Sequence, residues 1–591
     1  MFQSFEVTAR PEQGPPRLAA LRGVMAAEGL DGFLVPRADA HQGEYVSARD
    51  ERLAWLTGFT GSAGFCAVLR GVAGVFIDGR YRTQVKAQVA EEFTPVPWPE
   101  VGLADWLQEQ LSQGGVVGFD PWLHTAGQIE ALRGALDGSG VEMRAVGNLV
   151  DQVWPDQPGP AAEPAFAHPI EYAGESHEDK RARLAKGLKG PAVITLPDSL
   201  CWLLNIRGAD IPRNPVVQGF AILHPDASVD LFMDAGKLEG LSEHLGPDVR
   251  IHAPEALLGA VAALEGPVLM DKTSVPFVVA EAAQAPVWGD EPCAIPKACK
   301  NAAEIAGSAA AHLRDAAAVV ETLAWLDAQA PGTVTETQVV SRLEAHRRAD
   351  NALRDISFET ISGTGPNGAI MHYRVTEETD STLEDGHLLV LDSGGQYLDG
   401  TTDITRTIAI GAPQPEAKAA FTRVLAGMIA MSRLRWPKGL AGRDIEAIGR
   451  APLWYAHQDF DHGLGHGVGA YLSVHEGPQR LSRTSTVPLQ PGMILSNEPG
   501  YYREGAFGIR IENLIVVEPA EAPPGGDAHR DMLCWRTLTF VPIDRRLIDP
   551  ALLDADARNW LNAYHAEVLA KIRPRVSEPA QRWLDTACAP L

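Results

Sequence analysis

One order of short apolar runs occurs twice in the first half of this chain, and it constrains the fold more than any other feature. The first copy reads RLAWLTGF, AGFCAVLR and VFIDGR; the second reads DSLCWLLNI, QGFAILHP and LFMDAG, preceded by the strand-like PAVITL. Spacing is kept with order, since Phe65 to Phe76 spans 11 positions and Phe220 to Phe232 spans 12. Self-similarity of this kind predicts two related α/β domains in tandem, with chance likeness between strand-rich segments as the alternative. A helical pattern around Leu18–Gly29 followed by the apolar run GFLVP fits the same α/β alternation.

Two proline-rich connections break the chain after each copy: DQVWPDQPGPAAEPAF, then GDEPCAIPKACKN. Beyond the second lies a different pattern. A long Ala-rich helix is expected over Ala302–Gln329 and another near Thr335–Arg348, after which strands dominate: AIMHY, HLLVLDSGGQYLDGTTDITRTIAI, MILSNEPGYY and FGIRIENLIVV. The tail carries an amphipathic helix with Ala557, Trp560, Leu561, Tyr564 and Val568 on one face, suited either to the core or to a subunit contact.

Bulk properties narrow the function. At 591 residues, two to four domains are expected, and 45% apolar against 21% charged residues is an ordinary globular balance. A net charge of −25 with no Lys/Arg run argues against nucleic acid as a partner. Six cysteines at 66, 201, 293, 299, 534 and 588 lack framework or metal-knuckle spacing and read as reduced thiols of a reducing compartment. No secretory leader is visible in MFQSFEVTARPEQGPP, and no apolar stretch is long enough to span a membrane.

The chemistry concentrates in the third region. Asp392 and Asp403 lie 11 apart, one preceded by LLVL and the other followed by ITRTIAI, with a GG and a DG turn between them suggesting a hairpin or meander. An acid flanked by apolar strand is costly unless paired or metal-bound, whereas Asp399 beside Gly400 reads as a polar turn. Glu498 and Glu512 stand 14 apart on a second pair of apolar runs; either alone could pair with a base such as Arg510. Between the two pairs, HGLGHGVGAYLSVH carries His462, His466 and His475 among glycines at 463, 465, 467 and 469 that allow close backbone approach. That segment lacks the Lys-Ser/Thr of a phosphate loop and the setting of a dinucleotide fingerprint. Four carboxylates and one imidazole suit two divalent cations, Mn²⁺ by the oxygen-rich donor set, with Zn²⁺ or Co²⁺ as alternatives. Such a pair can hold a bridging hydroxide as nucleophile against an amide carbonyl, with the remaining histidines and Arg510 orienting substrate and stabilising the oxyanion.

The strings GTGPNGAIMHY, DSGGQYLDGTTDITRT, HGLGHGVGAYLSVHEGP and NEPGYYREGAFGIRIEN together resemble the pita-bread metallopeptidases, and most closely their long, three-domain cytosolic Xaa-Pro aminopeptidases (aminopeptidase P). The resemblance takes in both N-terminal segments and the tail FVPIDRRLIDP…WLNAYH, nearly the whole chain. It implies two creatinase-like α/β domains (1–158 and 159–298), a pita-bread catalytic domain (299–540) and a C-terminal helical extension (541–591). By position it implies Asp392 as a terminal ligand on one metal, Asp403 and Glu512 as bridging ligands, and His466 and Glu498 as ligands of the other metal, with Glu498 also a proton carrier. It further implies that His372 contacts the reacting amide, that His475 holds the carbonyl beyond the scissile bond, and that His462 and Arg510 line the proline pocket and brace the ligands. The implied activity is release of an N-terminal residue standing before proline, by a cytoplasmic homodimer that restricts entry to unstructured peptide ends. Prolidase shares the metal site but cleaves dipeptides, and creatinase-like amidinohydrolases share the fold with other ligands; two N-terminal domains favour the aminopeptidase. Pita-bread domains also serve as metal-free binding modules, a use that predicts lost ligands, and all five ligand positions are filled here.

Overall fold

A computed structural model describes all 591 residues, which separate into two compact units. One holds Thr8–Ile170 and Glu175–Ala294; the other holds Met1–Val7, Glu171–Gly174 and Ile295–Leu591.

The first unit contains the two copies anticipated from the repeated runs. Strands β1 (Gly32–Pro36), β2 (Phe65–Leu69), β3 (Ala73–Ile77), β4 (Thr94–Pro97), β5 (Gly115–Phe119) and β6 (Val141–Ala145) form one six-stranded sheet in the order β4-β3-β2-β1-β5-β6. A second sheet of β7 (Ala192–Ile194), β8 (Phe220–Leu223), β9 (Val229–Phe232), β10 (Val249–His252), β11 (Val268–Met270) and β12 (Pro286–Trp288) has the order β10-β9-β8-β7-β11-β12, which is the same topology. Pairing directions agree at each step, antiparallel through the central hairpin and parallel on both flanks. Phe65 pairs with Phe76 and Phe220 with Phe232, so the extra residue of the second copy is absorbed by the hairpin turn. The short helices α1 (Arg52–Thr57) and α2 (Pro197–Leu203) also correspond. Gly58, after α1, has φ of 86°, and Asn205, at the matching position after α2, has φ of 49°. Glycine and asparagine are the residues that tolerate a left-handed helix end.

In the second unit the Ala-rich stretch forms α3 (Ala302–Asp327), opened by an Asn301–Glu304 capping box, and α4 (Glu336–Arg347) follows. Strands β13 (Ile361–Thr364), β14 (Leu388–Ser393) and β17 (Ile404–Ala409) make one antiparallel sheet, while β15 (Gly395–Tyr397) and β16 (Gly400–Thr401) form a small hairpin at its end. A second sheet contains β18 (Gly465–Gly467), β19 (Glu476–Leu481), β20 (Ile494–Asn497), β23 (Asn513–Pro519) and β24 (Met532–Thr537); β21 (Gly500–Arg503) and β22 (Phe507–Arg510) form a separate two-stranded ribbon.

The segment AIMHY is not a strand, contrary to the sequence expectation. Residues Gly365–Ala369 form a 3₁₀ turn and His372 lies in the turn after it. Gly365 has φ of 52°, and Pro366 has no N–H to give a ladder. The tail stripe also settles in one direction. On α5 (Ala555–Ile572), Ala557, Leu561, Tyr564 and Val568 join the apolar core of their own unit. Tyr564 Oη donates to Val541 O at 2.8 Å and accepts from Arg406 Nη2 at 2.9 Å. No helix is long and apolar enough to cross a membrane, and all six cysteines are free thiols, four of them buried.

Candidate active site

The acidic residues are gathered by interruptions in the strands. Asp392 sits on β14 opposite Thr405, while Asp403 occupies a two-residue break just before β17. The long hairpin of 494–519 breaks on both arms at one level. Asn497 pairs with Asn513 on one side of the break and Gly500 with Arg510 on the other, leaving Glu498 and Glu512 in the gaps. Placing an acid where the ladder lapses frees its backbone from sheet geometry and lets two hairpins turn their carboxylates toward one point. His466 reaches the same point from β18, whose backbone lies against β20: a Cβ on Gly465 would stand 1.9 Å from Ser496 O, so only glycine fits there.

The resulting cluster is buried and short of partners. His466 Nε2 lies 3.4 Å from Asp403 Oδ2 and 3.4 Å from Glu498 Oε1. Nδ1 of that ring is 2.9 Å from Gly467 O, so the tautomer assigned by this bond leaves Nε2 as a lone-pair donor. Asp403, His466 and Glu512 each offer a ligand atom within 4.8 Å of the others. Arg510 Nη2 donates to Asp392 Oδ2 at 2.5 Å, Thr405 Oγ1 to Glu512 Oε2 at 2.7 Å and Ser496 Oγ to Glu498 Oε1 at 2.9 Å. Three carboxylate oxygens remain buried with no hydrogen-bond partner: Asp392 Oδ1, Asp403 Oδ1 and Glu512 Oε1.

Burial, then the charges of Asp392 and Glu498, holds the Asp403 carboxyl well above its usual range, against the hydrogen bond it shares with Glu512. Glu512 is raised by burial and by Asp403, Glu498 and Asp392, against the Thr405 hydroxyl. Burial also raises Glu498, opposed by His466 and Arg510. Desolvation works against the Arg510 cation too, but Tyr502, Asp392 and Glu498 outweigh it and keep the guanidinium charged. Like-charged, dehydrated carboxylates with orphaned oxygens lack cations, and an oxygen-rich set with one imidazole fits a hard or borderline divalent ion.

Around this centre, Arg510 Nη1 donates to Tyr502 Oη at 2.6 Å, and Tyr502 Oη is 2.9 Å from His462 Nε2. His462 Nδ1 lies 2.7 Å from Gly463 O and 3.9 Å from Glu498 Oε2. The His475 ring stands edge-on to His466 at 4.3 Å. His372 is half-buried in its turn, which packs by way of Gly365–Ala369 against β14, β21 and β22. Tyr502, Thr405 and Ser496 were not singled out from sequence, although each lies within a quoted motif. Asp399, read as a turn residue, pairs with Arg314 at the hairpin tip.

Residues 298–519 match the description Metallopeptidase family M24, residues 531–591 match the C-terminal region of peptidase_M24, and residues 17–153 and 156–304 each match the Creatinase/Prolidase N-terminal domain. Fold and site together define a metallopeptidase region behind two copies of one N-terminal domain. Over 99% of its length the chain is 38% identical to a probable Xaa-Pro aminopeptidase P of Coccidioides posadasii (strain C735), covering 95% of it. A relative of the same description from Laccaria bicolor is 38% identical over 97% of this chain and 93% of its own. Among solved structures, the X-prolyl aminopeptidase from Caenorhabditis elegans, described as a cytosolic enzyme with a di-nuclear active site, is 32% identical with a TM-score of 0.93, covering 98% of this chain and 100% of that one. The prolidase from Pyrococcus horikoshii OT3, 22% identical with a TM-score of 0.50, covers 62% of this chain and 99% of its own and shares the fold. The chain belongs to the Xaa-Pro aminopeptidase P family of M24 metallopeptidases.

Proposed function

We propose that this chain is an aminopeptidase that hydrolyses the bond between an N-terminal residue and a following proline, with two divalent cations in its acidic cluster. The observation that carries the metal is the set of three buried, unpartnered carboxylate oxygens on Asp392, Asp403 and Glu512. The substrate class rests on likeness along the whole chain to relatives described as Xaa-Pro aminopeptidases, both N-terminal domains included.

In this reading Asp392, Asp403, His466, Glu498 and Glu512 would hold the cations. When bound, such cations polarise the scissile carbonyl and acidify a water for attack. The chain's own residues do the rest. Glu498, steadied by Ser496 Oγ, takes the proton of the attacking water and passes it to the departing proline nitrogen. His372 donates to the oxygen that gains charge, and His475 holds the next carbonyl. Arg510 fixes one oxygen of Asp392 and so aims the other. His462 and Tyr502 form the wall against which the proline ring packs.

Mn²⁺ suits the oxygen-rich donors, with Zn²⁺ or Co²⁺ as alternatives; reconstitution with each separates them. Domain breaks are proposed at 158/159, 298/299 and 540/541; separate N-terminal family matches over 17–153 and 156–304 support the first, the match over 531–591 starts ahead of the last, and limited proteolysis tests all three. A cytosolic setting is supported by the description of the nematode structure, and a homodimer by the family resemblance; fractionation and solution mass measurement test both. The decisive assay follows residue release from an Arg-Pro-Pro peptide by chelator-stripped protein with and without Mn²⁺, beside an Ala-Pro dipeptide. Metal-dependent release of Arg is expected. Preference for the dipeptide makes the chain a prolidase, and silence on both with every divalent metal returns it to the binding-module reading.

A further inference from the structure

We propose that Glu336 is the positioning residue for His372, a role that rests on His372 being the group that donates to the reacting amide. Glu336 opens α4 and is fully buried, yet every group that reaches its carboxyl in hydrogen bonding is neutral. Its Oε1 accepts from Thr364 N at 2.6 Å and Asn367 Nδ2 at 3.1 Å. Its Oε2 accepts from Tyr373 Oη at 2.8 Å and Ser381 N at 3.2 Å. One side chain thus ties down the start, the middle and the end of the stretch 364–381, and its grip on Tyr373 is one residue from His372.

That stretch needs such a tie. After the 3₁₀ turn it contains no helix or strand, so no backbone ladder fixes its course. One side of the 3₁₀ turn is seated on β22, where a Cβ on Gly508 would stand 1.7 Å from Gly368 O. On another side Phe5 and Ile370 pack against the cluster of Val340, Ile361, Tyr373 and Val375, and Glu377 N donates to Phe5 O at 2.8 Å. Glu336 supplies the polar anchor between these contacts. It is a costly anchor, because burial pushes its carboxyl up to about 7 against four sets of donors. A residue held there at the expense of stability, with its contacts flanking His372 on both sides and one of them on the adjoining Tyr373, is explained by the placement it enforces: displacing a catalytic group by about 1 Å can cost on the order of 10²-fold in rate. Its hydrogen-bond partners, Thr364, Asn367, Tyr373 and Ser381, lie outside the acidic cluster, so Glu336 acts through position.

The test uses the full-length, Mn²⁺-loaded chain and an Arg-Pro-Pro peptide, comparing Glu336→Gln, His372→Ala and the double variant. Glu336→Gln keeps shape but turns an N–H toward donors; kcat is expected to drop about 10-fold with KM within about 2-fold and with bound metal unchanged. The double variant is expected to be no slower than His372→Ala alone. Multiplicative losses in the double variant, or wild-type kcat in Glu336→Gln, overturn the proposal and leave the role of His372 standing. Wild-type kcat in His372→Ala overturns that role and this proposal with it. If Glu336→Gln does not fold, Tyr373→Phe, which removes one donor to the same carboxyl, takes its place in the cycle with the same two outcomes.

Discussion

Two buried acidic clusters lie side by side in the catalytic unit, and they are built on opposite principles. Around Asp315 every oxygen is used. Oδ1 accepts from Arg347 Nε at 2.5 Å and Tyr397 Oη at 3.1 Å, and Oδ2 from Arg347 Nη2 at 3.1 Å and Thr402 Oγ1 at 2.6 Å. Arg347 goes on to Ser393 Oγ at 2.9 Å, so this closed pair grips the residue after Asp392 and the residue before Asp403. In the other cluster four carboxylates share a single arginine, and three of their oxygens have no partner. Both are buried. Completion by the protein itself marks the first as a brace, and incompleteness marks the second as a seat for cations from outside.

The contrast yields effects of opposite sign, and the largest concerns turnover. Replacing Glu512 by Gln should cut kcat/KM by about 10³-fold or more and lower bound metal, measured by elemental analysis beside steady-state kinetics. The same change in the metal-free chain should raise thermal stability near neutral pH, because it removes a buried carboxyl that the fold must keep protonated while the unfolded chain ionises it. A fall in stability would erase the distinction between the two clusters. Next in size, Asp315→Asn should destabilise by about 3–5 kcal/mol in chemical denaturation with or without metal, as expected for a broken buried ion pair.

A pH effect separates the clusters further. The carboxyls of Asp403, Glu498 and Glu512 are raised in the folded, metal-free chain, so the folded state holds protons that the unfolded state gives up. Their contribution to stability is therefore full below the ordinary carboxylate range near pH 4 and is lost as pH climbs through the raised values. Melting of the chelated protein should fall as pH rises above the ordinary carboxylate range, and added Mn²⁺ should restore it most at the alkaline end. A metal-induced shift in melting that stays flat with pH would count against this. Smallest of all, Asp399→Ala breaks a partly exposed pair with Arg314 and should change stability by no more than about 1 kcal/mol, leaving turnover intact.

Much of this was legible in the residues because chemistry demands them whatever the local backbone does. Asp392, Asp403, His466, Glu498 and Glu512 stood out as acids and imidazole among apolar runs, and the structure brings them together. The tandem repeat was visible for a similar reason: Trp55 and Trp202, each followed by a left-handed Gly58 or Asn205, mark one helix end used twice. Backbone detail was harder to see. Asp403, Glu498 and Glu512 lie in breaks of the ladder rather than on strands, a matter of register that apolar patterning does not encode. AIMHY alternates like a strand, but the preceding GPNG turns the chain and tertiary contacts then decide its path. Glu336, Asp315 and Arg347 belong to helices with no motif, and only their partners across the fold reveal them.

The grouping of Met1–Val7 with residues beyond 294 has a consequence for how the molecule comes into being. Gln3 exchanges two hydrogen bonds with Thr360, its Nε2 donating to Thr360 O at 3.2 Å and its Oε1 accepting from Thr360 N at 2.8 Å. On a translating ribosome, at roughly 5–20 residues per second, some tens of seconds separate the making of these two partners. The α/β unit can condense meanwhile, but residues 1–7 must wait as an unclaimed segment until their counterpart emerges. The catalytic unit is thus closed by a segment made well before most of the residues it pairs with, and that closure cannot precede the synthesis of Thr360.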